Sequence, residues 1–174
     1  MHGKFETSVK IAMALLVVFT SVAWAGPRWV VGTYRNPSEG YAIKIPRGLK
    51  GSAEEDAGPE RGPRISLPSG GHIVVFGEPN TVEHKNPTEG VRAVLAYEKC
   101  ASGRPEVSQA RVGKRGGAKG YLVCRDRVVE LLLVFRPGGE PIYSLRLEMV
   151  RAHKSEDDAI LENVAASLNV IHWQ

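Results

Sequence analysis

The sequence predicts an α+β domain, an antiparallel sheet of about six to eight strands packed with two α-helices as a helix/sheet/helix sandwich. Two observations point there. Short alternating or apolar runs are joined by Gly- and Pro-rich connections of hairpin length. Two segments with helical periodicity each follow a set of strands, so strands and helices do not alternate as a parallel α/β fold requires.

Before the domain comes an address. Lys4 and Lys10 precede an apolar run from Ile11 to Val22, and Ala23-Trp24-Ala25 has small residues where a signal peptidase reads. Residues 1–25 therefore read as a secretory signal cleaved after Ala25. The run of about a dozen apolar residues is short of the roughly 20 that a spanning helix needs. Residues 26–174 are expected to form one domain, exported to the periplasm or the medium.

Trp29 to Tyr34 is aromatic and β-branched and reads as a strand. The Asn36-Pro37-Ser38-Glu39-Gly40 cluster turns it into Tyr41 to Ile45, which Pro46 ends. Arg47 to Pro63, rich in Gly, Pro and charge, is expected to be a mobile loop. Arg64 to Leu67 and His72 to Gly77 flank Pro68-Ser69-Gly70-Gly71 as a second hairpin. Asn86 can cap a helix with Pro87 at its first position and Glu89 at its third; Val91, Val94 and Leu95 form its stripe, and it should end near Cys100.

Val107 to Val112 and Tyr121 to Arg125 read as strands, with Gly113 to Gly120 as a flexible turn between them. Val128 to Phe135 is nearly all apolar, as in a strand covered on both faces. From Ile142 to Val150 the pattern alternates: Tyr143, Leu145, Leu147 and Met149 face one way, Ser144, Arg146 and Glu148 the other. A last helix is expected with Ser155 as its cap, Glu156, Asp157 and Asp158 in its first turn, and Ile160, Val164 and Leu168 buried.

Several of these segments together resemble the PsbP-like superfamily. They are Tyr34 to Tyr41, Ile45 to Leu49, and the closing strand–helix unit from Ile142 through Ser155 to Val170. The resemblance implies an antiparallel sheet sandwiched by helices and is consistent with export. It implies no catalytic set, so it transfers no functional residue.

Cys100 and Cys124 make an even pair in an exported chain and read as a disulfide. Closing a loop of about 25 residues would add about 3 kcal/mol on the chain-entropy model. The formal charge of +4 falls by one when the signal leaves with two lysines and one glutamate, too little to argue for nucleic acid.

Chemistry is sparse. His72, Glu78, Glu83 and His84 cluster in sequence, but lack the paired spacing of a zinc site, and no metal or other cofactor is expected. Ser69 lacks the first Gly of a Gly-x-Ser-x-Gly elbow. Lys119 precedes Gly120 rather than Ser or Thr, so Gly113 to Gly120 is no Walker loop. Arg111, Lys114, Arg115, Lys119, Arg125 and Arg127 can form a basic ridge toward an anionic membrane, a cell-wall polymer or an acidic protein; they can equally be a solvated sheet edge. The expected function is a non-catalytic domain that binds a protein or other envelope component. The alternatives are an exported hydrolase using Ser69, His72 and an acid, and a module that binds anionic surfaces through residues 111–127.

Overall fold

A computed structural model describes residues 28–53, 61–78, 84–98, 100, 103–135, 142–150 and 153–170. The predicted signal at 1–25 lies outside them. In chain order the elements are β1 (Arg28–Val30), β2 (Thr33–Asn36), β3 (Tyr41–Lys44), β4 (Gly51–Ala53), β5 (Arg61–Ser66), β6 (His72–Glu78), α1 (Pro87–Ala96), β7 (Glu106–Val112), β8 (Arg115–Val123), β9 (Arg127–Phe135), β10 (Ile142–Val150), α2 (Lys154–Ala166) and β11 (Asn169–Val170). Eight strands form one antiparallel sheet, ordered β1-β4-β5-β6-β10-β9-β8-β7, and β11-β3-β2 form a second.

The apolar run in β9 lies between two cores. Val128, Leu132 and Val134 face α2 and the small sheet, where they meet Leu145, Leu147, Leu161 and Val164. Val129, Leu131 and Leu133 face α1, where Val91 and Leu95 cover them. The α+β sandwich thus forms as expected, with a small sheet sharing the α2 layer. Tyr41 of that sheet packs edge-on against Tyr143 of β10, ring centroids 5.5 Å apart, and the Tyr143 hydroxyl donates to the Glu39 carbonyl at 2.9 Å.

Four expectations are corrected. The strand predicted from Trp29 to Tyr34 is two strands in two sheets, because Gly32 takes a φ of +73° that breaks the extended run. The stretch predicted as a loop from Arg47 to Pro63 contains β4 and the start of β5. The turn predicted across Gly113 to Gly120 shrinks to Gly113-Lys114, and the rest is strand β8. Its glycines serve close packing: a Cβ on Gly120 would press into Val91 and lie 3.0 Å from Leu95 Cδ1. The tip is also pinned, since Gly113 N–H donates to the Ala165 carbonyl at 2.8 Å.

The fourth correction concerns α2. Asn86 caps α1 as expected, accepting from Glu89 N–H at 2.9 Å. In α2, by contrast, the N-cap position is His153, without a side-chain capping bond, and Ser155 lies inside the helix. The buried face is Asp157, Leu161, Val164 and Ala165, with Ile160 only half-buried and Leu168 buried beyond the helix end.

Candidate interaction surface

The described residues assemble no Ser-His-acid set from the candidates for hydrolysis. Ser69 sits at the β5–β6 tip and its hydroxyl donates to Asp157 Oδ2 at 2.8 Å. Asp157 is buried in the first turn of α2, where a carboxylate also suits the helix N-terminus. His72 lies on the other face of the sheet, because it pairs with Glu148, whose side chain points away from the α2 core. Burial and the Arg64 charge lower the His72 pKa, against the pull of Glu148. Ser69–Asp157 thus ties a hairpin to a helix and has no base beside it.

The metal candidates do not converge either. His84 lies against Gly90 of α1, while the charges around His72 are Arg64, Arg146 and Glu148. Glu83 is outside the described residues. Among the described residues, no group of three or more His, Cys, Asp or Glu is placed to hold a metal ion.

Cys100 and Cys124 are bonded, with Cα atoms 5.0 Å apart, so the segment after α1 is tied to the end of β8. On the same face as α1, Arg146 bridges Glu98 and Glu148, the latter at 2.8 Å, and Arg127 reaches Glu98 at 3.6 Å and Glu148 at 3.8 Å. Burial works to raise the Glu148 pKa, but Arg146 outweighs it and holds the carboxyl below its usual range.

The six basic residues read as one ridge are divided by the sheet. Register places Arg111 opposite Gly116 and Arg115 opposite Val112, so these two arginines point to opposite faces. Lys114 is exposed in one turn and Arg125 in another. Arg127 is engaged by the two glutamates just described. Lys119 turns inward to Glu130, with Nζ 2.6 Å from Oε1.

Glu130 is a functional-looking residue that sequence reading passed over, because it is hidden in an apolar run. It is fully buried beneath α2. Lys154 of α2 lies 3.8 Å from its second oxygen and 2.5 Å from Asp158, and Lys119 also reaches Glu162 at 3.2 Å. Burial, with Asp158 adding to it, pushes the Glu130 pKa up to about 7, against Lys119. Asp158 is held low: burial opposes this, but the Glu130 hydrogen bond and Lys154 prevail. The group is a polar seam between sheet and helix, buried at Glu130 and open to solvent at Glu162.

Apolar surface is exposed elsewhere. Trp29 and Val31 are each 64 % exposed at the β1 edge, and Tyr97 after α1 is 86 % exposed. Val31 lines a cleft of about 360 Å³ with Gly32, Ile45, Pro46, Arg47, Gly48, Leu49 and Lys50. This wall is well held. Ile45 N–H donates to the Gly32 carbonyl at 2.6 Å, and Leu49 N–H to the Pro46 carbonyl at 3.1 Å. Gly48, at φ +90°, supplies the third position of that turn, which leaves Arg47 at its corner.

No family model matches the chain, and no curated protein matches it. Among solved structures, the solution structure of cyanobacterial PsbP (CyanoP) from Synechocystis sp. PCC 6803 superposes with a TM-score of 0.52 at 12 % identity, covering 87 % of this chain and 98 % of that one. The fold is PsbP-like. The segments that carry the resemblance occupy joints of this PsbP-like architecture. Asn36 is buried and its side chain accepts from Glu39 N–H at 3.1 Å, shaping the β2–β3 turn. Lys44 N–H donates to Ser167 Oγ at 2.8 Å, fastening β3 to the end of α2.

Proposed function

We propose that this chain is an exported, PsbP-like, partner-binding domain of the cell envelope that performs no chemistry of its own. The observation that carries the reading is the exposure of Trp29 and Val31 at one edge strand, with Val31 lining a preformed cleft. Large apolar side chains left in water next to basic residues are a mark of contact surfaces. The candidate nucleophile Ser69, by contrast, is committed to Asp157. The PsbP-like fold, the signal-type residues 1–25 and the Cys100–Cys124 pair all support export and an accessory role.

Site-specific photo-crosslinking in intact cells tests the reading. A crosslinker at position 31 is expected to capture an envelope component, while one at Arg111 on the outer strand is not. No adduct at position 31, or equal adducts at both, would remove this surface from consideration. Mass spectrometry of the exported protein should find a start at Gly26; an intact residue 1–25 segment contradicts the export route.

A further inference from the structure

We propose that the component met at this surface is an anionic lipid membrane, touched by Trp29, Val31 and Leu49 and held by Lys44, Arg47 and Lys50. The proposal rests on reading this edge as a contact surface and specifies what it contacts.

The charge next to the cleft is one-sided: between Glu39 and Glu54 the chain carries Lys44, Arg47 and Lys50 and no acid. Glu39 lies away from the cleft, packed near Gly77 and Tyr143. Lys44, Arg47 and Lys50 are exposed, and among the described residues none that lines the cleft is acidic. Arg47 and Lys50 line the cleft with Val31 and Leu49, and Lys44 is exposed at the end of β3 beside it, so cations and apolar side chains share this surface.

That combination fits an interface in which apolar groups enter the headgroup region and long basic side chains reach phosphates beside them. Trp is favoured at that depth because its ring is apolar and its N–H is not. A second copy of this chain is a poor occupant, because a symmetric pairing would set the same three cations against each other. The surface is also preformed: the turn at Pro46–Leu49 and the bond from Ile45 to Gly32 fix it, so little ordering is left for binding. Two or three apolar side chains do not anchor a protein alone, so attraction to the anionic surface must supply much of the affinity, and it must fall with salt.

Cosedimentation of the cell-processed protein with vesicles tests this. The vesicles are one part phosphatidylglycerol to two parts phosphatidylcholine, beside pure phosphatidylcholine, at low and high salt. Wild type is expected to bind the anionic vesicles and to release them at high salt. Lys44→Gln/Arg47→Gln/Lys50→Gln should weaken partition on the order of a hundredfold, as each basic side chain near such a surface contributes about fivefold. Trp29→Ala/Val31→Ser should weaken it about tenfold or more. Circular dichroism of each variant checks that it is folded, and Arg111→Gln/Arg125→Gln, altering exposed cations elsewhere, should bind like wild type. Equal binding by wild type and the charge variant, binding to both vesicle types alike, or no binding by wild type overturns the proposal. If the vesicle assay fails while the crosslinker at position 31 captures an acidic protein, the contact surface stands and its occupant is that protein.

Discussion

Two stretches of this chain are basic, and the fold uses them differently. Residues 104–127 hold seven arginines and lysines against Glu106 and Asp126; residues 40–53, between Glu39 and Glu54, hold Lys44, Arg47 and Lys50 and no acid. In the first stretch Lys119 lies under α2 on Glu130, Arg127 lies between Glu98 and Glu148, and Arg111 and Arg115 face opposite ways. In the second, Lys44, Arg47 and Lys50 stay exposed, and Arg47 and Lys50 line a cleft with the exposed Val31 and the half-buried Leu49. The denser cluster gives Lys119 and Arg127 to carboxylates of the fold and scatters its exposed members over strand and turns, while the sparser one keeps its cations together on one exposed stretch. Charge counted along a chain says little about charge at a surface when strands pair the cations with buried carboxylates.

The comparison can be broken at several points. The largest effect is expected where the first stretch packs most tightly. Gly120→Val would force side-chain atoms into Val91 and Leu95 and should lower stability by about 3 kcal/mol, near the upper part of the usual overpacking range. Urea denaturation measures it, and an unchanged midpoint would mean that α1 does not press on β8. Next, Lys119→Ala strands the buried Glu130 and should destabilise by about 1–3 kcal/mol at pH 8. The loss should shrink at pH 5, where Glu130 is protonated.

A pH series sharpens the point. The folded pKa of Glu130 is raised to about 7, above its unfolded value, so the folded state binds the proton more tightly. Its contribution to stability is therefore fully present below the unfolded pKa, near 4.3, and is lost as pH rises through about 7. Wild-type melting temperature should fall in this window, and Glu130→Gln should flatten the fall. A variant with the wild-type slope would assign the effect to another group. The smallest effect belongs to the second stretch: Lys44→Gln/Arg47→Gln/Lys50→Gln should change stability by less than about 0.5 kcal/mol. A larger loss would make those side chains structural too.

Much of the fold was legible in the sequence because its signals are local. The alternation in β10, the Asn86 cap and the Pro68 to Gly71 hairpin each depend on neighbouring residues and came out as read. The failures arose where a residue's role depends on a distant partner. Gly117 and Gly120 look like turn residues, but they are needed because Leu133 and α1 come close to the strand. Gly32 was invisible as a break because both flanks are β-formers. The Ser155 expectation failed because α2 begins two residues earlier, at Lys154 with His153 in the cap position, and the Lys154 side chain reaches Asp158 and Glu130. The disulfide was legible from cysteine count and apparent export. The contact surface was not, although Lys44, Arg47 and Lys50 recur at intervals of three with no acid before Glu54. It comes from β1 and the loop after β3, which one hydrogen bond across Gly32 brings together.

The most direct test of the contrast between the two stretches is amide hydrogen exchange of the wild-type protein with and without phosphatidylglycerol-containing vesicles. The account predicts slowed exchange at Val31, Arg47, Gly48 and Lys50, with Ser108 to Arg111 and the Arg125-Asp126 turn unchanged. Slowing confined to 108–126, with none at 31–50, would contradict it and return the contact to the basic hairpin.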